Sequence, residues 1–312
     1  MENRYDVIVI GGGPAGYTAA LYTARAGLRT LVIEKLYAGG QMTETQQIDN
    51  YPGFPEGIDG FTLGADMQKG AKRFGVETVN AQVLSVQLTG EEKQVETAKS
   101  RYLAPVVIIA TGASHKHLGL AEEEALVGKG VAYCASCDGM FYRGKTVAVV
   151  GGGNSAAADA LVLSRLAKQV HLIHRRDSLR ATRIYLEPLL RAENVQIHWN
   201  TTVEELLHGE KLTGAKLRNT QSGELSELPL DGLFVSIGRT PATGLFEGQL
   251  ELDGSGYIVA DESTRTSLPG VFAAGDVRTK ALRQIVTATA DGATAAHYAE
   301  QYLNENISPR SP

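Results

Sequence analysis

Cys134-Ala-Ser-Cys137-Asp138-Gly139 contains both cysteines of the chain. Two sulfurs cannot make a disulfide scaffold or a self-contained zinc site. A C-x-x-C pair suits a small-loop disulfide that opens and closes, and a helix start or a cation beside it lowers one thiol's pKa. Half of an intermolecular zinc site and a pair of inert core thiols are the competing readings. Asp138 could protonate a leaving thiolate or cap a turn.

Two glycine clusters offer a second chemistry, phosphate binding. Gly11, Gly13 and Gly16 form G-x-G-x-x-G. The first glycine makes the tight turn, the second lets a pyrophosphate approach, and the third lets helix pack on strand. Phosphates would then sit at a helix N-terminus, where free N–H groups and the dipole favour anions. Glu34 closes the next apolar run, where an acid accepts hydrogen bonds from a ribose. Gly151, Gly153 and Ala156 repeat the pattern as G-x-G-x-x-A. His174 stands at the register of Glu34, and Arg175, Arg176 and Arg180 follow it. Guanidinium groups bind a 2′-phosphate that a carboxylate would repel, which points to NADPH rather than NADH. A solvated basic loop is the plainer alternative. Gly275-Asp276 ends a small-residue run, and its Asp could reach a cofactor hydroxyl or stabilise the turn. The seven histidines lack metal-ligand spacing, so no metal site is expected.

Elements of one design must hold both glycine clusters. Tyr5–Ile10 and Thr30–Glu34 flank the first, and Thr146–Val150 and Val170–His174 flank the second. Apolar β-branched runs without alternation read as strands buried on both faces. With Ala-rich stretches between them, each segment is a βαβ unit of a parallel sheet. The expected fold class is α/β, with two Rossmann-like nucleotide-binding domains in three layers. Glu34–Gly60 reads as a long loop, Phe61–Phe74 as a helix and 76–110 as strands that end in a Thr111-Gly112 turn. Gly232–Gly238 and Gly270–Asp276 read as further strand-to-turn segments. Arg283–Leu303 reads as a long helix, and 304–312 as a frayed end.

Composition limits the alternatives. A chain of 312 residues is long enough for about two domains. Hydrophobic content of 43% excludes disorder as the main state, and a net charge of −5 with mixed signs argues against a nucleic-acid partner. Apolar runs fall short of the ~20 residues of a membrane span, and the N-terminus lacks a signal-peptide pattern, so a cytoplasmic protein is expected.

Taken in order, these motifs resemble those of the bacterial low-molecular-weight thioredoxin reductases over almost the whole chain. The matching pieces are Gly11–Gly16, Gly39-Gly-Gln41, Asp49–Gly53, Thr111-Gly112, Cys134–Gly139, Gly151–Ala156, His174–Arg180, and Gly275-Asp276 through Arg283-Gln284. The resemblance implies a homodimeric flavoenzyme that passes electrons from NADPH through FAD and Cys134–Cys137 to thioredoxin. It implies that Cys137 is nearer the flavin, that Cys134 exchanges with thioredoxin, and that Asp138 is the acid–base partner. It extends the cofactor-binding set to Pro14, Ala15, Gly40, Gln41, Asn50, Thr111, Gly112, Asn154, Ser155, Gly238, Gly275, Asp276, Arg283, Gln284 and Ile285. It also implies an FAD domain, 1–114 and 246–312, split by an NADPH domain, 115–245, that turns about two short connections. Ala158 and Asp159 stand where the family usually has two Glu, Lys129 where an Arg is frequent, and Met140 where Phe is frequent. A relative with ferredoxin as donor or a small dithiol as partner is one rival reading. A non-catalytic nucleotide-binding redox sensor is the other.

Overall fold

In the computed structural model, which describes residues 3–306, the first glycine turn lies on a five-stranded parallel sheet. Its order is Val271–Ala273, Val106–Ile109, Val7–Ile10, Thr30–Glu34, Glu77–Asn80. Val7–Ile10 and Val106–Ile109 are buried at every residue, as runs covered on both faces must be. On one face Val7, Val9 and Ile108 pack against the helices Pro14–Arg25 and Ile285–Asn306. These helices approach closely because small residues line the contact: a Cβ on Gly292 would overlap the Ala15 carbonyl oxygen. On the other face Ile8, Ile10 and Ile109 pack against strands of a four-stranded sheet, Asn3–Arg4, Arg101–Ala104, Lys93–Thr97 and Val83–Gln87. A third helix, Gly60–Lys72, starts at Asp59, whose carboxylate accepts the Thr62 N–H at 2.9 Å.

The second unit repeats this layering. Its parallel sheet runs Val131–Ala132, Gly232–Val235, Thr146–Val150, Gln169–Ile173, Val195–His198. Val147 and Val149 face the helix Asn154–Ser164 through Ala156, Ala157 and Ala160. Ala148 and Val150 face an antiparallel sheet of Thr201–His208, Leu212–Asn219 and Leu225–Pro229. The fold is α/β, with two Rossmann-like domains of three layers.

The chain divides into Met1–Ser114 with Thr240–Pro312, and His115–Arg239. The boundary expected at 245/246 thus falls inside the first unit. Phe246, in the short turn Gly244–Phe246, is wholly buried in that unit's core, which draws the preceding residues with it. The last helix begins at Ile285 rather than Arg283, because the Arg283 guanidinium turns back to the carbonyls of Asp276, Arg278 and Lys280. It runs on through Asn306, so Asn304–Asn306 are helical rather than frayed, and 307–312 lie outside the described residues.

Candidate active site

Cys134 and Cys137 are joined as a disulfide, with their Cα atoms 5.3 Å apart. Cys134 is the N-cap of one helical turn, Ala135–Asp138, and its carbonyl accepts the N–H groups of Cys137 and Asp138. A 3-10 turn, Gly139–Tyr142, follows and is anchored in the sheet. Tyr142 is buried edge-on against Phe234, with ring centroids 5.2 Å apart, and a Cβ on Gly139 would meet Leu163 and Leu166 at 3.3 Å. The segment ahead of Cys134 is also fixed. Buried Glu123 accepts the N–H groups of Leu118 and Gly119 and, at 2.9 Å, the Tyr133 hydroxyl.

Cys134, Cys137 and Asp138 are half-buried. Burial pushes the Asp138 carboxyl up to about 6, so it keeps a proton closer to neutral pH than a free carboxyl does. Its side chain makes no capping bond to the turn that follows. Met140 and Phe141, directly after the disulfide, expose 54% and 45% of their surface.

The first glycine turn gathers most of the expected residues of its unit. Gly11 has a φ of +106°, and a Cβ there would overlap the Ala110 carbonyl beside Thr111. A Cβ on Gly16 would overlap the Gly11 carbonyl oxygen, which is the close helix–strand approach. Glu34 closes over the turn, accepting the Gly12 N–H at 2.6 Å and the Leu36 N–H at 3.0 Å. The Gly39 N–H reaches the Gly12 carbonyl at 2.8 Å, which brings Gly40 and Gln41 to the turn. Thr111 donates its hydroxyl to the Ala242 carbonyl, whose N–H in turn reaches the Gly112 carbonyl. Gly275 abuts Ala15, and Asp276 follows it in the turn Gly275–Val277. Asn50 donates to Gln284 at 3.2 Å, next to Ile285. Arg283 spends its donors on the backbone of 276–280 and stacks 4.1 Å over the Tyr257 ring.

The second turn assembles differently. The His174 ring lies over Gly152, where a Cβ would overlap it, and its Nε2 meets the Ser178 carbonyl at 3.0 Å. Burial holds its imidazole below the ordinary histidine pKa. The Arg180 N–H reaches the Gly152 carbonyl at 2.7 Å, and Asn154 accepts the Thr182 N–H at 2.8 Å. Ser155 is exposed on the first turn of the helix. The Arg175, Arg176 and Arg180 side chains are exposed and carry no ion pair among the described residues. Gly238 is joined instead to Lys116, whose N–H reaches its carbonyl at 3.1 Å.

The family model for pyridine nucleotide-disulphide oxidoreductases matches residues 5–292. A thioredoxin reductase of Listeria monocytogenes is 50% identical over 97% of this chain and 95% of its own length. One from Streptomyces coelicolor is 48% identical over the same shares. The crystal structure of thioredoxin reductase from Streptococcus pyogenes superposes with a TM-score of 0.91 at 40% identity, over 98% of this chain and all of that one. The chain belongs to the pyridine nucleotide-disulphide oxidoreductases.

As a member of that family it is an NADPH-dependent flavoprotein disulfide reductase, with FAD and NADPH as cofactors. The two glycine turns fit such dinucleotides. Gly13 and Gly153, the N-caps of the two fingerprint helices, bring no side chain to the first N–H groups, which leaves those donors for a pyrophosphate.

This pyridine nucleotide-disulphide oxidoreductase also uses residues that motif reading passed over. Asp291, buried on the last helix, accepts the Gly275 N–H at 2.9 Å. It also accepts two Arg278 N–H groups and the Lys280 ammonium, each at 2.8 Å. These donors hold its carboxyl below the usual range against the opposing effect of burial. Asp291 therefore fixes the turn that presents Asp276. The signal was present in sequence: Ala288, Gly292, Ala295 and Ala299 make an apolar stripe, and Asp291 is the lone charge on it.

Proposed function

We propose that this chain is a thioredoxin-disulfide reductase, with Cys134–Cys137 as the exchanging pair. The observation that carries the reading is a half-buried disulfide on one helical turn beside a carboxyl raised to about 6, Asp138. NADPH, when bound, would supply an electron pair, and FAD, when bound, would carry it to this disulfide. Glu34, the first glycine turn, Asp276 and the Asn50–Gln284 pair would hold FAD. The second glycine turn with Arg175, Arg176 and Arg180 would hold NADPH, whose 2′-phosphate suits exposed guanidinium groups.

The disulfide takes up two electrons and two protons as its S–S bond opens. Asp138 gives one proton to the departing sulfur and recovers it from solvent. Cys134 as thiolate attacks a sulfur of the substrate disulfide and forms a mixed disulfide. Cys137 then attacks Cys134, the substrate leaves as dithiol, and the Cys134–Cys137 bond closes again. Exposed Met140 and Phe141 next to the pair suit a protein substrate better than a small thiol.

The homodimer and the cytoplasmic location belong to the same reading. A pair that must cycle through its dithiol form suits a reducing compartment. Among the described residues no helix is long and apolar enough to cross a membrane.

The test is NADPH consumption by the pure protein with oxidised thioredoxin. Turnover should require thioredoxin and stop in the Cys134→Ser, Cys137→Ser double variant, while that variant's flavin is still reduced by NADPH. Thioredoxin reduction at wild-type rate by the double variant would refute the reading.

A further inference from the structure

Asp291 puts a charge on the small apolar face of the last helix, Ile285–Asn306. One carboxylate there meets two cations. Its Oδ2 accepts the Arg278 Nε–H and the Lys280 ammonium, and its Oδ1 accepts the Arg278 Nη2–H, each at 2.8 Å. The side chains of Arg278, Lys280 and Asp291 are only 3%, 7% and 9% exposed. The same Oδ2 accepts the Gly275 N–H at 2.9 Å.

We propose that Asp291 is a positioning residue for FAD: braced by Arg278 and Lys280, its carboxylate holds the Gly275 N–H and sets the Gly275–Asp276 turn against the first fingerprint helix, so that flavin retention depends on Asp291 acting through that turn. The proposal rests on reading the turn as part of the FAD site.

The need for such a hold follows from the size of the turn. Three residues of 3-10 helix have little stability of their own. The backbone bond that closes Gly275–Val277, from the Arg278 N–H to the Gly275 carbonyl, is long at 3.4 Å. The ends are fixed elsewhere, the Ala274 N–H on the Ile109 carbonyl and the Val277 carbonyl on the Ile258 N–H. Gly275 between them is buried, so its N–H needs a protein acceptor, and Asp291 is that acceptor. Arg283 grips the same segment by its carbonyls, and a guanidinium only donates, so it cannot take over this bond. Gly275 has a φ of +79°, and a Cβ there would stand 3.0 Å from that of Ala15, on the first turn of the helix whose N-terminus suits a pyrophosphate. Without Asp291 two buried cations lose their counter-charge, at a large penalty. Their route to water is an outward movement of 278–280, which carries Asp276 with it.

The test is the FAD dissociation constant of the flavin-loaded protein, read by the fluorescence of FAD that passes an ultrafilter after dilution. Asp291→Ala should raise it about tenfold or more, the worth of a hydrogen bond to a charged group. Asp291→Asn keeps the shape and one acceptor oxygen for part of the four donors, and should raise it by a smaller factor. It keeps the test decisive if Asp291→Ala does not fold. Ala299→Gly loosens the same helix two turns away and should leave the constant unchanged. Unchanged FAD binding in the Asp291 variants, with flavin lost from Asp276→Ala, would overturn the proposal alone. Flavin loss from Ala299→Gly equal to that from Asp291→Ala would overturn it too, since a loosened helix and not the hold on the turn would then be responsible. Failure of the underlying reading shows separately, as flavin retained at wild-type affinity by Asp276→Ala, and the proposal would fall with it.

Discussion

At the first glycine turn a carboxylate closes over Gly12; at the second an imidazole closes over Gly152. Glu34 accepts the Gly12 N–H, so one face of the first turn is fixed by an anion that can also bond hydroxyls. His174 is buried and held toward its neutral form, and the charge around it comes from exposed Arg175, Arg176 and Arg180. The third position of the pattern differs too. Gly16 has no room for a side chain against the Gly11 carbonyl, whereas Ala156 carries its Cβ, which stands 2.7 Å from where a Gly151 Cβ would lie. One backbone design thus carries two different closures, and on the proposed reading the residue that closes over each turn and the charge behind it are what would discriminate the two dinucleotides.

That contrast can be broken at its tightest point first. Gly16→Ala forces a Cβ into the Gly11 carbonyl and should yield protein without bound flavin or without a fold, read by flavin absorbance per chain. The matching change in the second turn, Ala156→Gly, should cost about 1 kcal/mol of stability and leave the flavin in place.

Second in size is the acid beside the dithiol, a feature of the second unit alone. Asp138→Asn should leave flavin reduction by NADPH near normal and slow the flavin-to-disulfide step at least tenfold, since positioned acids contribute about 10²–10⁴-fold. The Asp138 carboxyl is raised to about 6, so it is protonated below that pH and ionised above it. In the wild type the disulfide step should therefore decline as pH rises through about 6, and the Asn variant should lack that limb. Stopped-flow absorbance at the flavin band resolves both steps.

The charge behind the second turn gives the next effect. Charged phosphate contacts contribute about 1.5–3 kcal/mol each. Replacing Arg175 and Arg176 with Ala should weaken NADPH more than tenfold and NADH hardly at all, measured by titration of each nucleotide. Equal losses would show that the arginines do not read the 2′-phosphate.

The smallest effect separates the two sheets by acid. The second sheet carries His171 beside His198, ring nitrogens 2.9 Å apart, whereas the parallel strands of the first hold no histidine. Burial and then His198 push the His171 imidazole down to about 4 from an ordinary 6.5. The unfolded chain binds protons in that window that the folded one refuses, so stability should be full above about 6.5 and fall as pH drops toward about 4. His171→Asn should flatten this acid limb in thermal melts, with activity little changed.

The parts of the fold that were legible in sequence share one property: the signal is local. Val7–Ile10, Val106–Ile109 and Thr146–Val150 are β-branched runs too apolar for an exposed face, and each is a buried parallel strand. What was not legible depended on contacts between distant segments. The first unit resumes at Thr240 because Phe246 packs into a core built from residues far before it in the chain. Arg283 reads as the start of a helix until its guanidinium is seen on the carbonyls of 276–280. The motifs placed the residues around both glycine turns by spacing. The Asp291 hold on Gly275 has no local pattern, since an acid on one element meets an N–H on another.

The most direct measurement is an anaerobic titration of the flavin band with NADPH. If Cys134–Cys137 exchanges electrons with the flavin, the wild type takes one NADPH for the disulfide and a second for the flavin before it bleaches fully. The Cys134→Ser, Cys137→Ser variant should bleach after one. Complete bleaching of the wild type after a single equivalent, indistinguishable from the variant, would contradict the account.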